Sequence, residues 1–278
     1  MSGLRKVHWF APTRVLVLLL FGGCASSTVQ TVCPQSPFRS PKPLVIAHAS
    51  GDYLGPANSI EMLQSSLNAG ADVLDIDVRV TKDGVLVAGH DDQVGRVSIR
   101  GSTYAELARV DLRNGWRNPL ALSIKEPVRI PTVEASLTAF PAQRFSLEFK
   151  TTGGEQVLCD LLRSSKRTSS VYVSSAGDAA INTFADLCPE VTTTVTDAMV
   201  PVLQAARAEG QKWCSPVPIG QPPIDGVDAE SVKWSQDHGL AVFSWTADDE
   251  SSIRTLINAG VDGIYTGRPD LARQLIDE

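Results

Sequence analysis

From residue 43 onward, short apolar runs alternate with amphipathic stretches. Residues 44–48 read as a strand ending in His48. A helix over 58–69 follows, with Asn58 or Ser59 as its N-cap and Gly70 as its stop. Strands are predicted at 73–80 and 85–89, then a helix at 131–140 and a strand at 145–149. Further strands at 171–174 and 191–195 each lead into a helical segment. A strand at 240–245, a helix at 250–259, a strand at 263–265 and a helix at 270–276 complete the pattern. Repeated strand-then-helix units imply a parallel sheet with helices outside. About eight such strands in one domain favour a closed (β/α)8 TIM barrel over an open sheet, and 278 residues suit that size. No G-x-G-x-x-G follows the first strand, so the main dinucleotide-binding signal is missing.

Strands buried on both faces should read as unbroken apolar runs. Two of these do not. Asp75 and Asp77 lie two apart in the run Val73 to Val78 and share a face. Glu148 and Lys150 share another, while Phe145, Leu147 and Phe149 point the opposite way, toward helices. Taken singly, either pair reads as well as a solvated edge or a local ion pair. Together, late in their strands, they fall where barrel active sites are built. Carboxylates facing a barrel interior are costly unless paired or bound to a cation. Three converging on one place suit a hard cation, Mg2+ or Ca2+, better than zinc.

The chain has four histidines. His8 lies in the leader, and His238 precedes Gly239 at a helix end, where a cation complements the dipole. His48 and His90 instead end strands beside the carboxylates, and are placed to act as general base and general acid across a phosphodiester.

Composition narrows the setting. A net charge of −6 leaves no basic footprint for nucleic acid. Residues 1–24 read as an export signal: Arg5, Lys6 and Arg14 precede or flank the apolar run 15–21, which is too short to span a bilayer. Leu20-Phe-Gly-Gly-Cys24 resembles the cleavage box of bacterial lipoproteins, apart from Phe21 where Leu is usual. An extracytoplasmic protein anchored to a membrane through lipid on Cys24 is the expectation. Residues 25–42, rich in Ser, Thr, Pro and Gln, read as a flexible tether, leaving 43–278 as one barrel domain. Cys33, Cys159, Cys188 and Cys214 permit two disulfides in an oxidising compartment, with the pairing open.

Five ordered blocks carry a family resemblance. They are Ile46-Ala-His-Ala-Ser-Gly51, Pro56-Ala-Asn-Ser59, Gly70-Ala-Asp-Val-Leu-Asp-Ile-Asp-Val78, Thr81-Lys-Asp-Gly84 and Val87-Ala-Gly-His-Asp91. Pro131-Thr-Val-Glu134, Leu147-Glu-Phe-Lys150, Ser244-Trp-Thr246 and Gly260-Val-Asp-Gly263 extend them to the C-terminal part. In this order they resemble the glycerophosphodiester phosphodiesterase family, a (β/α)8 barrel that releases glycerol 3-phosphate and an alcohol. The resemblance implies His48 and His90 as the acid–base pair and Asp75, Asp77 and Glu148 as metal ligands. It also implies Lys150 as a phosphate or transition-state contact and Trp245 as an aromatic wall of the substrate pocket. The implied partners are a small glycerophosphodiester and, through Cys24, a membrane.

Three positions depart from the family pattern. Ala49 stands where the motif has Arg, Ala57 where it has Glu, and Asp75 where the first metal carboxylate is Glu. Arg79, on the strand face of Asp77, and Arg96 are candidate substitutes for the lost phosphate donor, which Lys cannot mimic in bidentate form. Two other readings stand beside the enzyme. One is a degenerate barrel lipoprotein that binds a phosphate headgroup or a partner without turnover. The other is phospholipase D-like chemistry on intact lipids, which Arg100, Arg113 and Arg117 make less apt by rendering the 92–126 segment polar.

Overall fold

The computed structural model describes residues 32–53, 55–115, 124–210 and 213–278. Eight parallel strands form the barrel: β1 Leu44–Ala47, β2 Val73–Val80, β3 Arg144–Phe149, β4 Val171–Ser175, β5 Thr192–Thr193, β6 Ile219–Gly220, β7 Ala241–Ser244 and β8 Gly263–Thr266. Each pairs with its sequence neighbour, and β8 returns to β1 through Leu44↔Gly263 to Ala47↔Thr266. A parallel bridge between Thr194 and Ile219 links β5 to β6 and completes the ring.

Two features differ from the sequence pattern. The run expected as a strand at 85–89 is seen as Leu86–Ala88, and it pairs antiparallel with β2 rather than joining the barrel. Its connection is a tight reversal, with Val85 N–H donating to Thr81 Oγ1 and Gly84 at φ +81°. So short a link cannot make a parallel crossover. The strand that completes the eight is β6, two residues set among Pro216, Pro218, Pro222 and Pro223, which mask any strand pattern.

Outward side chains of β2 and β3, Leu74, Ile76, Val78, Phe145, Leu147 and Phe149, pack on Leu158, Leu162 and Phe184 of the flanking helices. Burial of each is worth about 1.5–3 kcal/mol. The Cys159–Cys188 disulfide lies in the same cluster and joins the middle of helix Glu155–Ser164 to the C-terminal end of helix Asp178–Leu187. Helix Ile60–Asn68 starts at Ser59, whose Oγ accepts Met62 N–H. Helix Ala229–Asp237 ends at His238, whose Nδ1 meets the Trp234 carbonyl at 2.6 Å and whose ring stacks on Trp234 at 4.0 Å.

The expected tether is corrected in its second half. Cys33 is bonded to Cys214, and Arg39 pairs with buried Asp262 at 2.8 Å. The Phe38 ring sits edge-on to Tyr172 and Phe243, with centroids 5.9 and 6.3 Å away, covering the N-terminal end of the barrel. One aromatic and one cysteine in a polar stretch suffice to dock it there. The leader 1–24, Cys24, the first part of the tether and Arg117 lie outside the described residues. No helix among the described residues is long and apolar enough to cross a membrane.

Candidate active site

The alternation of β2 and β3 decides what enters the barrel. Asp75 pairs in register with Ser146 and Asp77 with Glu148, so both carboxylate-bearing positions face inward from adjacent strands. Lys150 follows one step later, its Nζ 2.7 Å from Glu148 Oε1 and 3.0 Å from Asp77 Oδ1. Asp75, Asp77, Glu148 and Lys150 thus form one cluster at the C-terminal ends of the strands. Burial tends to lower the Lys150 ammonium, but Asp77 and Glu148 outweigh it and hold that group above its usual range.

His48 follows β1 directly, at the start of a tight turn. Ala49, Ser50 and Gly51 all take left-handed backbone angles, with φ of 44°, 67° and 79°. That turn aims the Ala49 N–H at Asp75 Oδ2, 3.1 Å away. The buried Ala49 therefore serves the site with its main chain, where the family motif offers an arginine side chain. Ser50 Oγ donates to the Asp75 carbonyl at 3.2 Å and anchors the same turn to β2.

Asn58, a candidate N-cap from the sequence, leaves that place to Ser59 and serves the site instead. It is buried at φ 59° and holds Asp77 from both sides. Its Nδ2 donates to Asp77 Oδ2 at 2.7 Å, and its Oδ1 accepts the Asp77 N–H at 2.9 Å. Asp52, unforeseen in the sequence, stands with Oδ1 4.0 Å from His48 Nδ1. Burial pushes its carboxyl up, against the pull of His48.

His90 stands across the mouth on the loop after Leu86–Ala88, with its side chain 57% exposed and Nδ1 3.0 Å from Asp91 Oδ1. Arg79 does not reach into the cluster to replace the missing arginine. Its Nε and Nη2 donate to the His90 carbonyl at 2.9 and 2.7 Å, so the guanidinium holds the loop that carries His90. Trp245 follows β7 at the rim, 44% exposed, with its Nε1 donating to the Gln221 carbonyl at 2.8 Å.

A groove of about 840 Å³ opens beside His90. Asp52, Tyr53, Ala57, Asn58, Asp91 and Asp92 are among its walls. A residue longer than Ala57 would occupy part of it, so the departure from the motif glutamate widens the space next to Asn58 and Asp77.

The cluster fits a hard cation. Asp75 Oδ1 is buried without a hydrogen-bond donor, Asp77 Oδ1 meets the Lys150 ammonium, and Glu148 adds a third carboxylate in register with Asp77. Burial, and then the Asp77 charge, push the Asp75 carboxyl up to about 7, so ionising it calls for a compensating positive charge. Oxygen donors alone suit Mg2+ or Ca2+.

His48, three carboxylates and an ammonium gather at the mouth of a (β/α)8 barrel, with His90 on a neighbouring rim loop, at the end where enzymes of the barrel class carry their active sites. The chain belongs to the glycerophosphoryl diester phosphodiesterase family, whose profile matches residues 48–271. It is 25% identical over 250 residues to a glycerophosphodiester phosphodiesterase of Caldanaerobacter subterraneus, covering 84% of this chain and 98% of that one. A glycerophosphodiester phosphodiesterase of Bacillus subtilis is 25% identical over 251 residues, covering 82% and 84%. Among solved structures, an Oleispira antarctica phosphodiesterase in complex with the product sn-glycerol-3-phosphate has a TM-score of 0.69 at 23% identity. That match covers 85% of this chain and 98% of the other. A glycerophosphodiester phosphodiesterase from Agrobacterium tumefaciens gives a TM-score of 0.68 at 19% identity, over 83% and 99%.

Proposed function

We propose that this enzyme hydrolyses small glycerophosphodiesters to glycerol 3-phosphate and an alcohol, with a divalent cation held by Asp75, Asp77 and Glu148. The observation that carries the reading is the buried, donorless Oδ1 of Asp75, beside Asp77 and Glu148 on adjacent inward-facing strand positions and next to the turn that carries His48. When bound, the cation supplies positive charge that acidifies a substrate hydroxyl and neutralises a phosphoryl oxygen.

The protein's own groups supply the proton transfers. His48, at the β1 end, accepts the proton of the glycerol 2-hydroxyl as its oxygen bonds to phosphorus. His90, which lines the groove, gives its proton to the departing alcohol oxygen as the other P–O bond breaks. Asp91 accepts from His90 Nδ1 and leaves Nε2 free to face the groove. The product of this step is a 1,2-cyclic phosphate and a free alcohol. Water then opens the ring, with the two histidines exchanging roles. Lys150 stabilises charge developing on the phosphoryl oxygens, and Trp245 forms a wall for the glycerol carbons. Export through 1–24 and lipidation of Cys24 would keep the enzyme at a membrane surface.

The test is release of glycerol 3-phosphate by a soluble form starting at Ser26, assayed with Ca2+, with Mg2+ and with EDTA. Cation-dependent turnover that His48→Ala abolishes is the expected result. A folded protein inactive on every diester and with either cation would shift the reading to a binding barrel.

A further inference from the structure

The interior layers of such barrels are dominated by branched apolar residues. Around Asp75 and just beneath it this barrel is polar instead. Ser146 of β3, Tyr172 of β4 and Tyr265 of β8, all buried, meet near the axis. Ser146 Oγ lies 3.1 Å from Tyr265 Oη, and Tyr172 Oη lies 2.9 Å from it. Gln221 Nε2 donates to the same Tyr265 oxygen.

Each hydroxyl–hydroxyl link can run either way, and one arrangement of the hydrogens serves Asp75. Three links join four donors: the Gln221 amide and three hydroxyls with one hydrogen each. With Gln221 and Tyr172 donating to Tyr265, and Tyr265 donating to Ser146, the Ser146 hydrogen is left over. Ser146 is the register partner of Asp75, whose buried Oδ1 lacks a donor. In that arrangement a spare hydrogen and a spare lone pair stand on adjacent strands at the same level. The Ser146 hydroxyl also opposes the upward push that burial exerts on the Asp75 carboxyl. A carboxylate oxygen has two lone pairs, so accepting from Ser146 still leaves one for a cation.

We infer that Ser146, held in place by Tyr265, is a positioning residue that fixes the rotation of the Asp75 carboxylate and so sets the affinity of the cation site. The inference rests on the proposed role of Asp75 as a ligand. Asp75 is one methylene shorter than the glutamate of the family motif, which keeps its carboxylate close to the strand level of Ser146. Tyr172 supports the arrangement at one remove.

The experiment is calorimetric titration of Ca2+ and of Mg2+ into EDTA-stripped, dialysed protein: wild type, Ser146→Ala, Ser146→Thr and Tyr265→Phe. Melting curves in EDTA accompany each titration. Loss of a supporting partner behind a metal ligand weakens affinity by about 10–100-fold. Ser146→Ala is expected to weaken binding at least about tenfold. Ser146→Thr, which keeps the hydroxyl, is expected to restore most of it, and Tyr265→Phe to fall between. A merely structural role would lower the cation-free melting temperature and leave the dissociation constant alone. Wild-type binding with Ser146→Ala or Tyr265→Phe unchanged in affinity overturns this inference only. No cation binding by the wild type overturns the ligand assignment with it.

Discussion

The Asn58 carboxamide grips Asp77 at two points, donating to its carboxylate at 2.7 Å and accepting its backbone N–H at 2.9 Å. One side chain thus satisfies β2 at a buried point and sets the orientation of a proposed ligand. Asn is suited to the left-handed angle that this grip requires. Asn58→Ala leaves two buried groups of Asp77 without a partner, at about 1–3 kcal/mol each. A loss of roughly 3–8 kcal/mol in urea denaturation is expected, which is the sum of those terms and the strain of Ala at positive φ. A loss below about 1 kcal/mol would mean that the two contacts do not hold the strand.

Arg79 gives the second prediction. Its fork on the His90 carbonyl makes it a support for the loop that carries the proposed general acid, rather than a substitute for the motif arginine. Arg79→Ala should lower kcat about tenfold or more while KM stays nearly constant, since misplacing a reacting group by about 1 Å can cost 100-fold. A rise in KM with kcat preserved would instead return Arg79 to phosphate binding.

The raised Asp75 carboxyl predicts a pH dependence for the cation-free protein. Its folded value, about 7, lies above the ordinary 3.8, so the native state holds a proton there that the unfolded chain releases. Stability in EDTA must then fall as pH rises from near 3.8 to about 7, and level off above it. The effect is at most a few kcal/mol. Comparing wild type with Asp75→Asn by thermal melting across that range isolates this carboxyl. Parallel curves would show that burial does not hold its proton.

The two disulfides should differ in what they contribute. Cys33–Cys214 closes a separation of 181 residues and Cys159–Cys188 one of 29. Loop-closure entropy gives about 5 kcal/mol for the first and about 3.5 for the second. Replacing Cys33 and Cys214 together by Ala should therefore lower the melting temperature more than replacing Cys159 and Cys188. It should also free the Phe38 arm, read as new proteolytic cleavage near residue 38.

The parts of this molecule legible in the sequence are those set by short-range periodicity. The inward face of Asp75 and Asp77 and the outward face of Phe145, Leu147 and Phe149 follow from the two-residue repeat of a strand, and the structure has both. His48 and His90 could be placed because each ends an apolar run. Partners set by long-range contacts could not. Arg79 shares a strand face with Asp77, yet the antiparallel Leu86–Ala88 segment brings the His90 carbonyl within its reach. Asn58 meets Asp77 across 19 positions, and Ser146 meets Tyr265 across 119. Strand β6 escaped because two residues between prolines carry no repeat at all. The docked arm at Cys33 and Phe38 escaped because its polar composition conceals two well-placed side chains.

The most direct test of the central claim is turnover measured against free cation concentration, for wild type, Asp75→Asn and Glu148→Gln. The account predicts a saturable curve for wild type, with no turnover in EDTA. Both variants should need at least about tenfold more cation, by analogy with the loss seen when metal-site partners are removed. Undiminished hydrolysis by the EDTA-treated wild type, or identical curves for all three proteins, would contradict it.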